Sequence, residues 1–421
     1  MLPVAIAVLA AVPTTPAAVF ARLECNRCHE IDHVQAAPAG KQCAGCHLEI
    51  SGAAGDAAKL DQGRRTYGAA FDRFVKHTGT LYVDVPPLSG LSRFRASWLK
   101  SYLRNPYDLR PHLTESMPKL PLTDGELEVL VRGLKLTADA PLPKPTRERL
   151  EKGQALFEAK TCTMCHLLGN QRFATQPAEL FEFRSPALPL EARTPDLRHA
   201  RDRLNRDVVV KLLLDPKSVN PRALMPKLQL DRREAELIAD FVLATPLAEP
   251  IDDMLERELQ TSGPVRYEDV EARVFKKTCW HCHSNPDLAD GDGGPGNTGG
   301  FGFKGLGLSF ATYEDVMNGS LGPDGEYRSI FRPGPTGAPV LLEVLKRRVH
   351  ENARDFVKPG LDGRRQTMAP KEDAPLGMPL SLPAVAPEDI ALVEAWIAAG
   401  KPRPSTPSGL LVSPMGRTAP P

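Results

Sequence analysis

Cys162-Thr163-Met164-Cys165-His166 decides how this chain is read, because the same pattern returns at Cys25-Asn26-Arg27-Cys28-His29, Cys43-Ala44-Gly45-Cys46-His47 and Cys279-Trp280-His281-Cys282-His283. The four copies use all 8 cysteines, where composition alone would give roughly 0.004 matches per chain. Two thiols three residues apart lie on one side of a helical turn, where both can add to the vinyl groups of a haem. The histidine that follows then lies under the ring and can bind its iron. The spacing therefore predicts four covalently bound haem c groups. They would be held through Cys25, Cys28, Cys43, Cys46, Cys162, Cys165, Cys279 and Cys282, with His29, His47, His166 and His283 as iron ligands.

Two other uses of cysteine pairs compete with this reading. The first two motifs also resemble zinc-ribbon spacing, but the pairs at Cys162 and Cys279 have no second pair nearby to complete a tetrahedral site. Disulfides across a two-residue gap would form strained rings typical of redox dithiols, and would leave the four adjoining histidines without a purpose.

An iron with one histidine is open on its other face, so the second ligand decides between electron transfer and catalysis. Met117-Pro118-Lys119-Leu120, Met225-Pro226-Lys227-Leu228 and Met378-Pro379-Leu380 each lie downstream of a motif and before a helical segment. A soft, uncharged thioether suits iron and raises its potential relative to paired histidines. Met368-Ala369-Pro370 competes with Met378 at the last motif. The segments leading to the first two methionines repeat: Leu103-Arg104-Asn105-Pro106 before Met117, and Leu213-Leu214-Asp215-Pro216 before Met225. Thr123 with Glu126 and Asp231 with Glu234 predict capped helix starts after them, and Pro387 predicts another. Ile390, Val393, Trp396 and Ile397 mark an apolar face on the last helix, and Gly400 its stop. With no fourth Met-Pro, the candidates for the first motif are His77, at the end of a helix expected over 61–77, and His33. His112, His199, His281 and His350 are expected to be structural or surface residues.

Gly153, Leu156 and Phe157 ahead of Cys162, Cys165 and His166, then Met225 and a closing amphipathic helix, resemble the monohaem cytochrome c family. Val270, Val274 and Phe275 before Cys279, with Met378 and Trp396 after it, are similar to larger members. The tandem motifs at Cys25 and Cys43 resemble multihaem cytochromes with closely stacked haems. The resemblance implies an all-α chain of tandem cytochrome c-like domains with extensive loops. These are a dihaem domain over 22–138, a monohaem domain over 146–244, a larger monohaem domain over 262–403 and a flexible tail over 404–421. Pro-rich stretches at 140–145 and 244–250 would be the linkers. Family order assigns Met117 to the second motif, through Pro86-Pro87-Leu88. The Gly-rich segment 291–307, beside Asp287, Asp290 and Asp292, reads as a flexible loop rather than a calcium loop, because no acidic residue completes an EF-hand.

The bulk composition agrees with several soluble domains. A chain of 421 residues exceeds one core, and its 42% hydrophobic and 25% charged content is near the globular average. A net charge of +1 gives no reason to expect a nucleic-acid partner. With 41 prolines and 6% aromatic residues the chain is rich in turns and poor in large rings, so porphyrins would fill part of its cores. Residues 2–21 form an uncharged apolar run read as a secretory signal cut after Ala21, or, if retained, as a membrane anchor. That cut would leave only Arg22, Leu23 and Glu24 before Cys25, so no opening helix is expected ahead of the first motif. The function expected is electron transfer: an exported, periplasmic tetrahaem cytochrome passing single electrons between redox partner proteins in a respiratory-type chain, and not a catalyst. The rival is a peroxidase-like haem enzyme, with an open site at the first motif or near Trp280 and His281.

Overall fold

The computed structural model describes residues 15–32, 34–37, 50, 52–67, 71–72, 75, 85–107, 109, 117–134, 136, 138–175, 194–221, 223–247, 264–280, 282–284, 307–322, 324–351, 377–379 and 382–404. These residues are mostly helical, with one two-stranded antiparallel ribbon, β1 (Ser320–Leu321) and β2 (Tyr327–Arg328). No helix among them is long and apolar enough to cross a membrane.

The chain opens with helix α1, Pro16–Leu23, started by the Thr15 hydroxyl accepting from the Ala18 amide and by proline in the first turn. Its face of Val19, Phe20 and Leu23 is buried against Val129 and Leu130 of α4, Asp124–Gly133. Each such side chain contributes roughly 1.5–3 kcal/mol on burial. The Arg22 guanidinium, itself exposed, adds a link to buried Glu126, with Nη2 2.6 Å from Oε2. Glu126 also closes the expected capping box with Thr123. The expected cut after Ala21 thus falls inside a packed helix. Removing Val19 and Phe20 would forfeit roughly 3–6 kcal/mol, against roughly 5–15 kcal/mol for the whole stability of a typical domain. Between α1 and α4 lie α2 (Ala57–Tyr67), covering the first half of the helix expected to end at His77, and α3 (Ala96–Arg104).

The second unit repeats the crossing with longer helices. Helix α5 (Arg147–Ala159) lies against α9 (Arg232–Ala244), with α6 (Ala200–Arg203), α7 (Arg206–Leu214) and α8 (Pro216–Val219) between them in sequence. The close approach needs Gly153, where a Cβ would sit 2.3 Å from the Leu237 carbonyl oxygen. Beside it Phe157, Phe173 and Phe241 pack with tilted to edge-on rings, centroids 5.4–6.3 Å apart. Asp231 and Glu234 form the expected capping box. Asp240, buried on α9, accepts from Arg149 of α5 and Arg206 of α7, so one carboxylate ties three helices.

The apolar core does not stop at the expected linker. Phe94, Trp98 and Leu99 of the first unit share one cluster with Leu204, Val208 and Phe241 of the second. The Arg95 amide donates to the Arg203 carbonyl at 2.9 Å.

In the third unit α10 (Tyr267–Val270) runs on as a wider π-helical stretch, Glu271–Cys279, and packs against α13, Pro387–Ala398. Tyr267, Phe275, Phe310 and Trp396 fill the crossing. The expected inner face of α13 is present: Ile390, Val393 and Trp396 are buried, and Gly400 follows at φ +85°. Helices α11 (Tyr313–Asn318) and α12 (Val340–His350) complete the unit.

This unit also grips the first. The Lys119 amide donates to the Lys277 carbonyl at 2.9 Å, and Lys277 Nζ donates to the Pro106 carbonyl at 2.7 Å. Buried Asp389 receives Lys119 from one side and Arg273 from the other, each at 2.7 Å.

Candidate functional site

Three of the four Cys-x-x-Cys-His motifs lie among the described residues, and they fold alike. The first and third copies begin with a 3₁₀ turn, Cys25–Arg27 and Cys162–Met164. Each turn is entered from a residue in the left-handed region, Glu24 at φ 52° and Thr161 at φ 59°. These conformations cost non-glycine residues roughly 1–2 kcal/mol, and they turn the chain from the preceding helix into the motif. The fourth copy is entered from the π-helical stretch instead. In all three the histidine amide donates to the first cysteine's carbonyl, at 2.9, 3.0 and 2.9 Å for His29, His166 and His283. The second cysteine's amide reaches that same carbonyl at 3.2 Å in each. Both thiols and the imidazole are thereby held on one compact turn.

Two of the three histidine rings are oriented by a distant backbone carbonyl. His29 Nδ1 bonds to the Pro86 oxygen at 2.8 Å and His166 Nδ1 to the Pro195 oxygen at 2.9 Å. The Leu308 carbonyl faces His283 without reaching hydrogen-bond geometry, so that Nδ1 remains buried and unsatisfied. A carbonyl only accepts, so Nδ1 carries the proton and the neutral ring presents its lone pair on Nε2. Burial lowers the pKa of all three, against the raising effect of those carbonyls, and brings His283 to about 4. All three are neutral at physiological pH, the form that ligates metal.

Burial acts on the thiols in the opposite direction, pushing Cys25 and Cys279 up to about 12 and Cys162 to about 11. Redox-active dithiols need a depressed value, and burial moves Cys25, Cys162 and Cys279 the other way. No disulfide joins the six described cysteines. No three His, Cys, Asp or Glu side chains among the described residues are grouped to hold a metal ion.

The residues fit a haem better than a bare ion. Each motif offers two thiols and one neutral imidazole, which is the attachment set for a porphyrin and too few donors for tetrahedral zinc. At the fourth motif Nε1 of Trp280 is also buried without an acceptor among the described residues. Leaving such a donor unmet costs roughly 1–3 kcal/mol, which an acceptor on a bound group would remove.

Among the expected second ligands, Met117 is half-buried at the loop before α4, and Met225 packs on the core of the second unit. Met378 is half-buried, its amide donating to the Val344 carbonyl at 2.9 Å. Cys43, Cys46, His47, His33, His77, Met368, His112 and His281 lie outside the described residues, as does most of the Gly-rich segment. His199 is buried beside Tyr107, its pKa lowered to about 3 by burial and then by Arg198 and Arg203, while His350 is exposed. Sequence reasoning missed the orienting carbonyls of Pro86 and Pro195 and the left-handed residues Glu24 and Thr161. It also missed α1, whose capped start, Thr15 before Pro16, was the available signal. No protein-family model, no curated protein and no solved structure matches the chain.

Proposed function

We propose that this chain is an exported tetrahaem c-type cytochrome, built of tandem cytochrome c-like units, that passes single electrons between redox partner proteins. One observation carries the reading. Three separate motifs present two thiols and an imidazole with the same main-chain hydrogen bonds, and the rings of His29 and His166 each meet a backbone carbonyl through Nδ1. Such repetition at three places in one chain has no use for disulfides or zinc, and it is what covalent haem needs.

When bound, the haem supplies the one-electron change of its iron. The chain supplies everything else. Cys25, Cys28, Cys162, Cys165, Cys279 and Cys282, with Cys43 and Cys46 by sequence, would hold the groups. His29, His166, His283 and His47 would bind iron from one side, and Met225 and Met378 would follow from the other at the third and fourth motifs. Aromatic packing around Phe157 and Trp396 excludes water, and the contacts between units keep the motifs at fixed separations. Export is supported by the uncharged apolar run over 2–21.

The test is the mass of the intact protein from a host that matures c-type cytochromes, with a potentiometric titration followed by absorbance. Four haem increments and four one-electron transitions are expected. A colourless protein at polypeptide mass after correct export would end the proposal.

A further inference from the structure

We infer that Met117 is the second iron ligand at the first motif, opposite His29, and that the second motif rides on an insertion within that unit. The inference rests on the haem reading above. It reverses the expectation from sequence, which gave Met117 to the second motif and left the first without a methionine.

The argument is the order of elements in the second unit, where no second motif complicates the assignment. There a helix, α5, ends at left-handed Thr161, followed by the motif Cys162–His166. His166 meets the Pro195 carbonyl. Helix α7 then ends at Asp215, whose amide donates to Lys211 and whose backbone sits at φ −154° and ψ 90° before Pro216. Met225 comes next, then the Asp231 capping box, and α9 closes by packing on α5.

The first unit has every one of these parts in the same order. Helix α1 ends at left-handed Glu24, followed by Cys25–His29. His29 meets the Pro86 carbonyl. Helix α3 ends at Asn105, whose amide donates to Ser101, at φ −146° and ψ 82° before Pro106. Met117 comes next, then the Thr123 capping box, and α4 closes by packing on α1. Even the turn after the methionine repeats, with Leu122 donating to Leu120 at 2.8 Å and Leu230 to Leu228 at 3.1 Å.

The units depart in detail, since Pro216 opens α8 while Pro106 and Tyr107 are not helical and Lys160 stands between α5 and Thr161, but the large departure is length. The histidine and its carbonyl are 29 residues apart in the second unit and 57 in the first. The excess contains Cys43–His47 and α2. Its described apolar residues, Ile50, Ala53, Phe71 and Val75 with Leu60, form a cluster separate from the one that joins α1 to α4. The frame that positions Met117 is therefore closed by the first motif's own helices.

The experiment uses the full-length holoprotein and three variants: Cys43→Ala with Cys46→Ala, the same pair with Met117→Ala, and the same pair with Met117→His. Haem is counted by intact mass, and methionine ligation by the far-red charge-transfer band of ferric thioether-ligated haem. The cysteine pair variant should carry three haems and keep the whole band. Adding Met117→Ala should remove about a third of it, and Met117→His should do the same while preserving a low-spin centre and the fold. Loss of a third of the band from the cysteine variant alone would assign Met117 to the second motif and overturn the inference. So would a band that Met117→Ala and Met117→His both leave intact. Absence of haem from the wild-type protein is a different outcome, which defeats the parent reading instead.

Discussion

Replacing Gly153 by alanine tests whether the α5–α9 crossing is as tight as the structure has it. The added Cβ would lie 2.3 Å from the Leu237 carbonyl oxygen and 2.7 Å from Phe241 Cβ. Ordinary contact between heavy atoms needs roughly 3.5 Å, so α9 must retreat by about 1 Å. The obstacle is backbone, which cannot rotate aside. Retreat loosens Phe241 against Phe157, whose centroids are 5.5 Å apart. Overpacking of this kind costs roughly 1–3 kcal/mol, and the clash with a main-chain oxygen puts it at the upper end. Alanine returns about 1 kcal/mol through its better helix propensity. The net expectation is a loss of about 2 kcal/mol. Urea unfolding of the holoprotein followed by circular dichroism should show a lower midpoint at unchanged slope, and hydrogen exchange should place the weakening in α5 and α9. A Gly153→Ala protein as stable as the wild type would refute the packing argument.

Two further outcomes are expected. Asp240→Asn removes the charge that Arg149 and Arg206 share and should destabilise by about 1–2 kcal/mol, a value held down because both arginines are partly exposed. Burial raises the Asp240 pKa, but the bonds from Arg206 and Arg149 outweigh it and leave the value depressed. A depressed carboxyl contributes stability above its unfolded value and loses it as pH falls through the folded one. The gap between wild type and variant should therefore be full at pH 7 and close below about pH 4 in thermal melts; a gap constant down to pH 3 would contradict the assignment. Phe20→Ala, 6% exposed and seated against α4, should cost roughly 3–5 kcal/mol. A mature protein that begins after Ala21 would instead show no effect of this substitution.

What the sequence made legible was local. The capping boxes at Thr123 and Asp231, the Pro387 start, the Gly400 stop and the inner face of Ile390, Val393 and Trp396 depend on neighbours within a turn or two, and the structure has them all. The motifs were legible for the same reason. The carbonyls of Pro86 and Pro195 were not, because a backbone oxygen leaves no trace in residue type and its partner lies far along the chain. The apolar composition of α1 serves a leader and a buried helix equally well. Only the partner face on α4 separates the two, and that face is contributed by residues more than a hundred positions away.

Asp389 receives one cation from each of two units, and beside it a main-chain amide of one unit meets a main-chain carbonyl of the other. A hinge made this way has no slack to swing through. On the proposed reading, electrons passing between the first and third units would cross a distance set by bond lengths and not by the reach of a tether, so thickening the solvent with glycerol should leave their speed untouched.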